Sequence, residues 1–323
     1  AVQLAVSENG TLVHGLSTGA STSGRGERLT WIEMDGTRTD LPLELAQGQV
    51  EAPRVSPTGT SIAYDDDDED EVFLYDVNTG ERTQVTEGAD GGWPVWSKDG
   101  SSLYFSNLEG WFRVALDGPM IVEDLAFDTG GPIIAVSPDE RWIVAEDFEG
   151  EGQPNLLIAD LETTPLSPRA YLRADWHEEV GVVSPDGNWI AYGSNQSGGH
   201  EVYVRSFPEP GSLIQVSSEG GIDPTWAPDG SAIYYLGNGT MVRREVQLGE
   251  TVQLGEEQKL FSLAGTVSRN DKRMHDIHPD GRRFIFVTSG EVDDAPTQAA
   301  PEGIGPVVVV VNWFGELLDR MGG

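Results

Sequence analysis

The sequence predicts an all-β fold, a β-propeller of four-stranded antiparallel blades. Three observations predict it. One turn motif recurs seven times along the 323 residues. Each turn leads into a β-branched or aromatic run of strand length, and helix-period apolar patterns are nearly absent.

The motif is clearest at Gly181–Tyr192, GVVSPDGNWIAY. Val182 and Val183 end one strand, Ser184-Pro185-Asp186-Gly187 turns the chain, and Trp189 to Tyr192 begin the next. Pro185 pre-sets φ, Asp186 bonds its own backbone, and Gly187 accepts a positive φ. The same turn reads V-S-E-N-G at Val6–Gly10, V-S-P-T-G at Val55–Gly59, W-S-K-D-G at Trp96–Gly100 and V-S-P-D-E at Val136–Glu140. It continues as V-S-P-D-G at Val183–Gly187, W-A-P-D-G at Trp226–Gly230 and I-H-P-D-G at Ile277–Gly281. The spacing, roughly 40 to 50 residues, is that of a propeller blade.

After each turn comes an apolar strand (TLVHG, SIAYD, SLYFS, RWIVAED, NWIAYGS, AIYYLG, RRFIFVTS), then a third strand that often ends in Asp-Gly or Asn-Thr-Gly. A weak fourth strand closes most units, as at Thr83–Thr86 and Leu213–Ser217. Such a sheet has two apolar faces and buries them by stacking on copies of itself around an axis. Seven turns favour seven blades, near 1–48, 49–90, 91–127, 128–173, 174–219, 220–263 and 264–323, in one domain. Six is the alternative, because the first turn is weak and the last unit lacks an obvious fourth strand. Closure by strand exchange would place Ala1–Val6 and Val307–Trp313 in one sheet. Phe314–Met321 reads as a short C-terminal helix with Leu317 and Leu318 inward. The Pro/Ala/Gly-rich stretch Glu291–Pro306 reads as an insertion.

Net charge is −34, with three lysines and no cysteine. That balance argues against nucleic acid and anionic membrane surfaces as partners. No apolar run reaches the ~20 residues of a spanning helix. The chain starts at Ala1 without Met and reads as a mature or excised form.

The S-P-D-G turn followed by I-A-Y and then E-V-Y-V resembles the TolB-type WD-repeat-like β-propellers of bacteria. The resemblance is strongest over Asp175–Ser262. With the ending VVVVVNWFGELL, this stretch is similar to the outer propeller domains of bacterial serine/threonine kinases and to secreted relatives. No kinase motif is present. The resemblance implies an extracytoplasmic module, periplasmic or secreted, that binds proteins, peptides or small ligands at its ring faces. It implies no catalytic residue.

Departures from the repeat carry the candidate chemistry. Asp65, Asp66, Asp67, Asp68 and Asp70 crowd the expected loop between the second and third strands of one blade. Hard oxygens suit Ca2+, but the spacing lacks a preformed calcium loop, and a solvated acidic loop is the competing reading. His177 with Glu178 and Glu179, and His275 with Asp276, precede innermost strands, as do Trp93, Trp176 and Asp223. In a propeller that places them at the channel mouth, where side chains from different blades converge on a ligand. An ordinary polar rim, with the tryptophans as blade packing, is the competing reading. Asn9, Asn195 and Asn238 sit in N-x-S/T sequons in turns, so each is a glycosylation candidate. No G-x-S-x-G elbow appears.

The sequence thus points to a non-enzymatic, extracytoplasmic binding or assembly module for a protein, peptide or small ligand. Self-assembly into an oligomer or filament is a variant of that reading, with Ca2+ as the candidate bridging ion. The alternative is a metal-assisted hydrolase or lyase at the channel mouth, which needs convergent His and carboxylate ligands.

Overall fold

The computed structural model describes residues 27–43, 49–66, 69–88, 91–107, 109–127, 131–147, 155–173, 176–269 and 273–289, and the backbone of Gln3–Val6, Leu12–Gly15 and Val307–Val310. All regular elements among them are β-strands. The chain divides into two compact units, Gly26–Ser289 and the two ends of the chain.

The larger unit holds six four-stranded antiparallel sheets. Blade 1 runs Val50–Val55, Ser61–Asp66, Glu71–Asp76, Arg82–Gln84. Blade 2 runs Gly92–Trp96, Ser102–Asn107, Gly110–Ala115, Val122–Asp124. Blade 3 runs Ile133–Val136, Trp142–Asp147, Asn155–Asp160, Arg169–Leu172. Blade 4 runs Glu178–Val183, Trp189–Ser194, Glu201–Ser206, Leu213–Gln215. Blade 5 runs Ile222–Trp226, Ala232–Gly237, Thr240–Gln247, Gln253–Ser262. Blade 6 joins two parts of the sequence: His275–Ile277 and Arg283–Thr288 pair with Arg28–Glu33 and Arg38–Asp40.

That last pairing corrects the expected seven blades to six. The run Leu29–Glu33, assigned by order to a first blade, hydrogen-bonds instead to Arg283–Thr288. Joining the two segments removes the free edges an open ring would leave. The strands flanking the first turn, Gln3–Val6 and Leu12–Gly15, pair with Val307–Val310 in a separate three-stranded sheet. The central strand there is Leu12–Gly15, so Gln3–Val6 and Val307–Val310 share a sheet without touching in register. The helix expected over 314–321 lies outside the described residues.

Six apolar clusters fill the six spaces between successive blades. The cluster of Leu29, Trp31, Val50, Tyr64 and Ile285 seals blade 6 against blade 1 and closes the ring. Hydrogen bonds reinforce the seams. Trp96 and Trp226 occupy the same repeat position, and each indole N–H donates 3.0 Å across to the preceding blade, to the carbonyls of Arg54 and Val182.

The repeated turn is built as its residues dictate. In blade 4 the Gly187 N–H donates to the Ser184 carbonyl at 2.9 Å, and Gly187 takes φ +75°. The Ser184 hydroxyl donates to Asp186 and accepts from the Trp189 N–H, tying turn to strand. Glu140, in the glycine position of blade 3, adopts φ +56° and accepts a hydrogen bond from the Lys98 N–H of blade 2.

Candidate functional site

The first strands of the blades lie side by side around the centre of the ring. They are not regular. Register shifts interrupt the pairing at Glu51/Arg54, Tyr104/Ser106, Ile133/Ala135, Glu179/Val182 and Ile222/Thr225. At four of these bulges a non-glycine residue has positive φ: Ala52, Trp93, Val180 and Asp223. Three of the four precede proline, in Ala52-Pro53, Trp93-Pro94 and Asp223-Pro224. For a β-branched residue such as Val180 the conformation is strained. Bulges of this kind re-aim side chains, here along the ring centre.

At the end of the ring where the repeated turns lie, a cavity of about 300 Å3 opens. Its collar is rigid and apolar, with Pro57, Pro185, Pro228 and Pro279 from four turns and Trp226 and Ile277 below them. Its floor is charged. Arg54, Arg273 and Asp276 line it. Both arginines are more than nine-tenths buried. Arg54 donates from Nη1 to the carbonyls of Pro53 at 2.9 Å and Arg273 at 3.0 Å, and its Nε has no partner. Arg273 reaches Asp276 at 3.5 Å, and its Nε also lacks a partner. Asp276 accepts the Val55 N–H at 2.9 Å. Burial, aided by the like charge of Arg273, pushes Arg54 down to about 9, so it stays a cation at neutral pH.

Deeper in the ring sits Asp223, 4% exposed, with Oδ2 unpartnered. Burial and the nearby Glu179 charge push its carboxyl up to about 7 against the pull of Arg273 and Arg54. Glu179 in turn lies 3.4 Å from His177 and 3.3 Å from His200, whose rings meet edge to face. Next to it, Glu178 is buried with Oε2 unpartnered, and burial raises it to about 7 against Arg205. Ionisable side chains therefore run from the turn-face cavity through Asp223 to the histidine pair.

The structure brings some of the expected mouth residues together and separates others. His177, Glu179 and Asp223 belong to this file. Trp93 lies in a first strand, partly buried, and Trp176 is exposed one residue before His177. His275 is fully buried, stacked on Phe286 at 5.1 Å, with both ring nitrogens unpartnered. Burial, with Arg273 and Arg54 nearby, holds it well below its ordinary value and so neutral. Among the described residues no group of three or more His, Asp and Glu is placed to hold a metal ion.

In the acidic run, Asp65 and Asp66 belong to the strand Ser61–Asp66 rather than to a loop, and both are buried. Asp66 pairs with Arg82 at 2.7 Å, and Arg82 also reaches Glu69 at 2.9 Å and lies over the Phe73 ring. Asp70 is exposed at φ +53°, and Asp67 and Asp68 lie outside the described residues. Asn195 accepts the His177 N–H at 3.0 Å, Asn238 is an exposed turn residue at φ +48°, and Asn9 lies outside the described residues.

Arg54 and Arg273, which form the floor with the expected mouth residue Asp276, were not singled out by sequence reasoning. One signal was there. At the repeat position of Arg54 the other blades carry Val95, Ala135, Val182, Thr225 and Asp276, so Arg54 is the one arginine at this repeat position, which lines the cavity.

No protein-family model and no curated protein matches the chain. Solved structures do. A protein assigned as TolB from Agrobacterium tumefaciens superposes with TM-score 0.64 at 16% identity, over 83% of this chain and 99% of that one. TolB from Acinetobacter baumannii gives 0.54 at 16% identity, over 89% and 79%. An oligogalacturonate lyase from Vibrio parahaemolyticus gives 0.51 at 12% identity, over 87% and 76%. The fold is that of the TolB-type β-propellers.

Proposed function

We propose that the chain is a non-enzymatic, extracytoplasmic binding module that takes one residue-sized group of a protein or peptide partner into the turn-face end of its channel. The observation that carries this reading is the cavity. At about 300 Å3 it is at the small end of the roughly 300–1,000 Å3 range of ligand pockets. That volume suits a side chain or a chain end better than a whole cofactor. The proline collar is preorganised, so little ordering opposes binding. The TolB-type fold supports the extracytoplasmic setting.

The test is selection of displayed random peptides on the wild-type protein, with Val95→Trp as the control. Val95 lines the cavity and is partly exposed, so the larger ring projects into the space. Peptides that bind the wild type and lose binding to a folded Val95→Trp support the reading. Peptides that bind both proteins equally, or no binders at all, contradict it.

Self-assembly belongs to the same class and requires the −34 charge to be screened. Light scattering that grows with millimolar Ca2+ but not with matched NaCl would support cation-bridged assembly, and a monomer in both would remove it. The alternative, a metal-assisted hydrolase or lyase at the channel mouth, has its nearest support in Glu179 lying between His177 and His200. Turnover of oligogalacturonate that is lost in His177→Ala would establish it, and the absence of turnover would leave binding alone.

A further inference from the structure

Among the described residues, the lining of the turn-face cavity holds two arginines and one carboxylate, Asp276. The two arginines come from blade 1 and from the entry to blade 6. Among the described residues, Asp276 is the carboxylate paired with Arg273, and one of its oxygens is taken by the Val55 N–H. Asp223, the next carboxyl, is deeply buried. Burying a cation without a matching anion is costly, and leaving its N–H groups without acceptors adds to the cost. Both Nε atoms are buried and lack acceptors, so a ligand would meet the guanidinium groups through their Nη atoms and offset their charge. Conformational slack does not explain the missing acceptors, since Arg54 is fastened to two backbone carbonyls from different blades.

A ligand group that resolved this imbalance would have to be acceptor-only, negatively charged and small. It would also need an apolar body behind it, because Trp226, Ile277 and the turn prolines form the wall above. A carboxylate joined to an aliphatic stem meets each requirement, and arginine forks match carboxylate geometry. Phosphate meets the charge requirement but brings a larger hydrated dianion to a protein of net charge −34.

We infer that Arg54 and Arg273 form a carboxylate-binding site at the floor of the cavity, holding either the C-terminal carboxylate of a bound segment or the side chain of an acidic residue in it. The inference rests on the binding reading above and gives it a ligand chemistry. Asp276 positions Arg273 and anchors Val55, so it sets the spacing of the two guanidinium groups without touching the ligand.

The experiment uses three probes: N-acetyl-leucine, N-acetyl-leucinamide and the α-amide of N-acetyl-glutamic acid. Binding to the full chain is followed by ligand-observed NMR. The expected result is that N-acetyl-leucine, the glutamyl amide or both bind at least tenfold tighter than the leucinamide. Which acid binds tells a chain end from a side chain. Arg54→Met and Arg273→Met should abolish the preference for acid over amide. Because either change risks misfolding, Arg54→Lys is included; it keeps the charge, loses the fork, and should weaken the acids severalfold more than the amide. Equal binding of acids and amide to the wild type would overturn the carboxylate assignment and leave the cavity as a binding site. Binding of none of the probes while selected peptides still occupy the cavity would also overturn it alone. Failure of both probes and peptides would overturn the binding reading as well.

Discussion

Asp223 contributes to the pH dependence of stability with a definite sign. Its carboxyl rises from the usual 3.8 to about 7 in the folded protein. Folding therefore takes up a proton wherever the unfolded carboxyl is ionised and the folded one is not. The contribution to stability is highest at low pH. It falls as pH rises between the two values and levels off above about 7. Raising a pKa by one costs the ionised form about 1.4 kcal/mol, so the whole window amounts to about 4 kcal/mol, and the part between pH 5.5 and about 7 amounts to about 2 kcal/mol. The perturbation is Asp223→Asn, which keeps the shape and removes the titration. Other groups shape the absolute profile, including Glu178, which is raised to about 7 by burial and contributes with the same sign. The informative quantity is thus the difference between wild type and variant. Urea unfolding at a series of pH values should show the variant gaining about 2 kcal/mol on the wild type between pH 5.5 and 8, and no further change above that. Parallel profiles would refute the reasoning, since they would mean that Asp223 is not held neutral by burial beside Glu179.

Gly187→Ala places a Cβ in open space, with the nearest atom outside the turn 4.0 Å away, yet forces alanine to φ +75°. The cost is backbone strain alone, about 1–2 kcal/mol, read as a lower urea midpoint with an unchanged slope. Trp96→Phe removes the indole bond to the Arg54 carbonyl at the seam between blades 1 and 2. Leaving that carbonyl unpaired should cost about 1–3 kcal/mol in the same assay. An acidic ligand approaching a chain of net charge −34 is repelled at long range, so its association rate should rise with NaCl over the low-salt range while its dissociation rate changes little, as read by stopped-flow fluorescence.

Much of the fold was legible because its signals are local. The Ser184–Gly187 turn forms the hydrogen bonds that its residue types predict, and Trp96 and Trp226 pack between blades as their repeat position implies. The number of blades was not legible from the number of turns. A strand such as Arg28–Glu33 carries a period and a propensity, but nothing in it names Arg283–Thr288 as its partner. Site residues were legible only in part for a related reason. Regular alternation assigns side chains to faces by odd and even position, and the bulges at Ala52, Trp93, Val180 and Asp223 break that count within the strands that line the channel. The acidic run shows the limit of composition. Asp65 and Asp66 look like an exposed charge cluster in the sequence, but they end a buried strand, where Arg82 meets Asp66.

The most direct test of binding at the turn face is fluorine NMR of the protein labelled with 5-fluorotryptophan and titrated with N-acetyl-leucine. The chain has nine tryptophans, and Trp226→Phe and Trp176→Phe assign the two that matter. Trp226 lines the cavity, and Trp176 is exposed beside the histidine pair. The result expected is a saturable change in the Trp226 resonance that disappears in Arg54→Met, with Trp176 unmoved. Movement of the Trp176 resonance with Trp226 unmoved would contradict it and transfer the binding site to the opposite end of the channel.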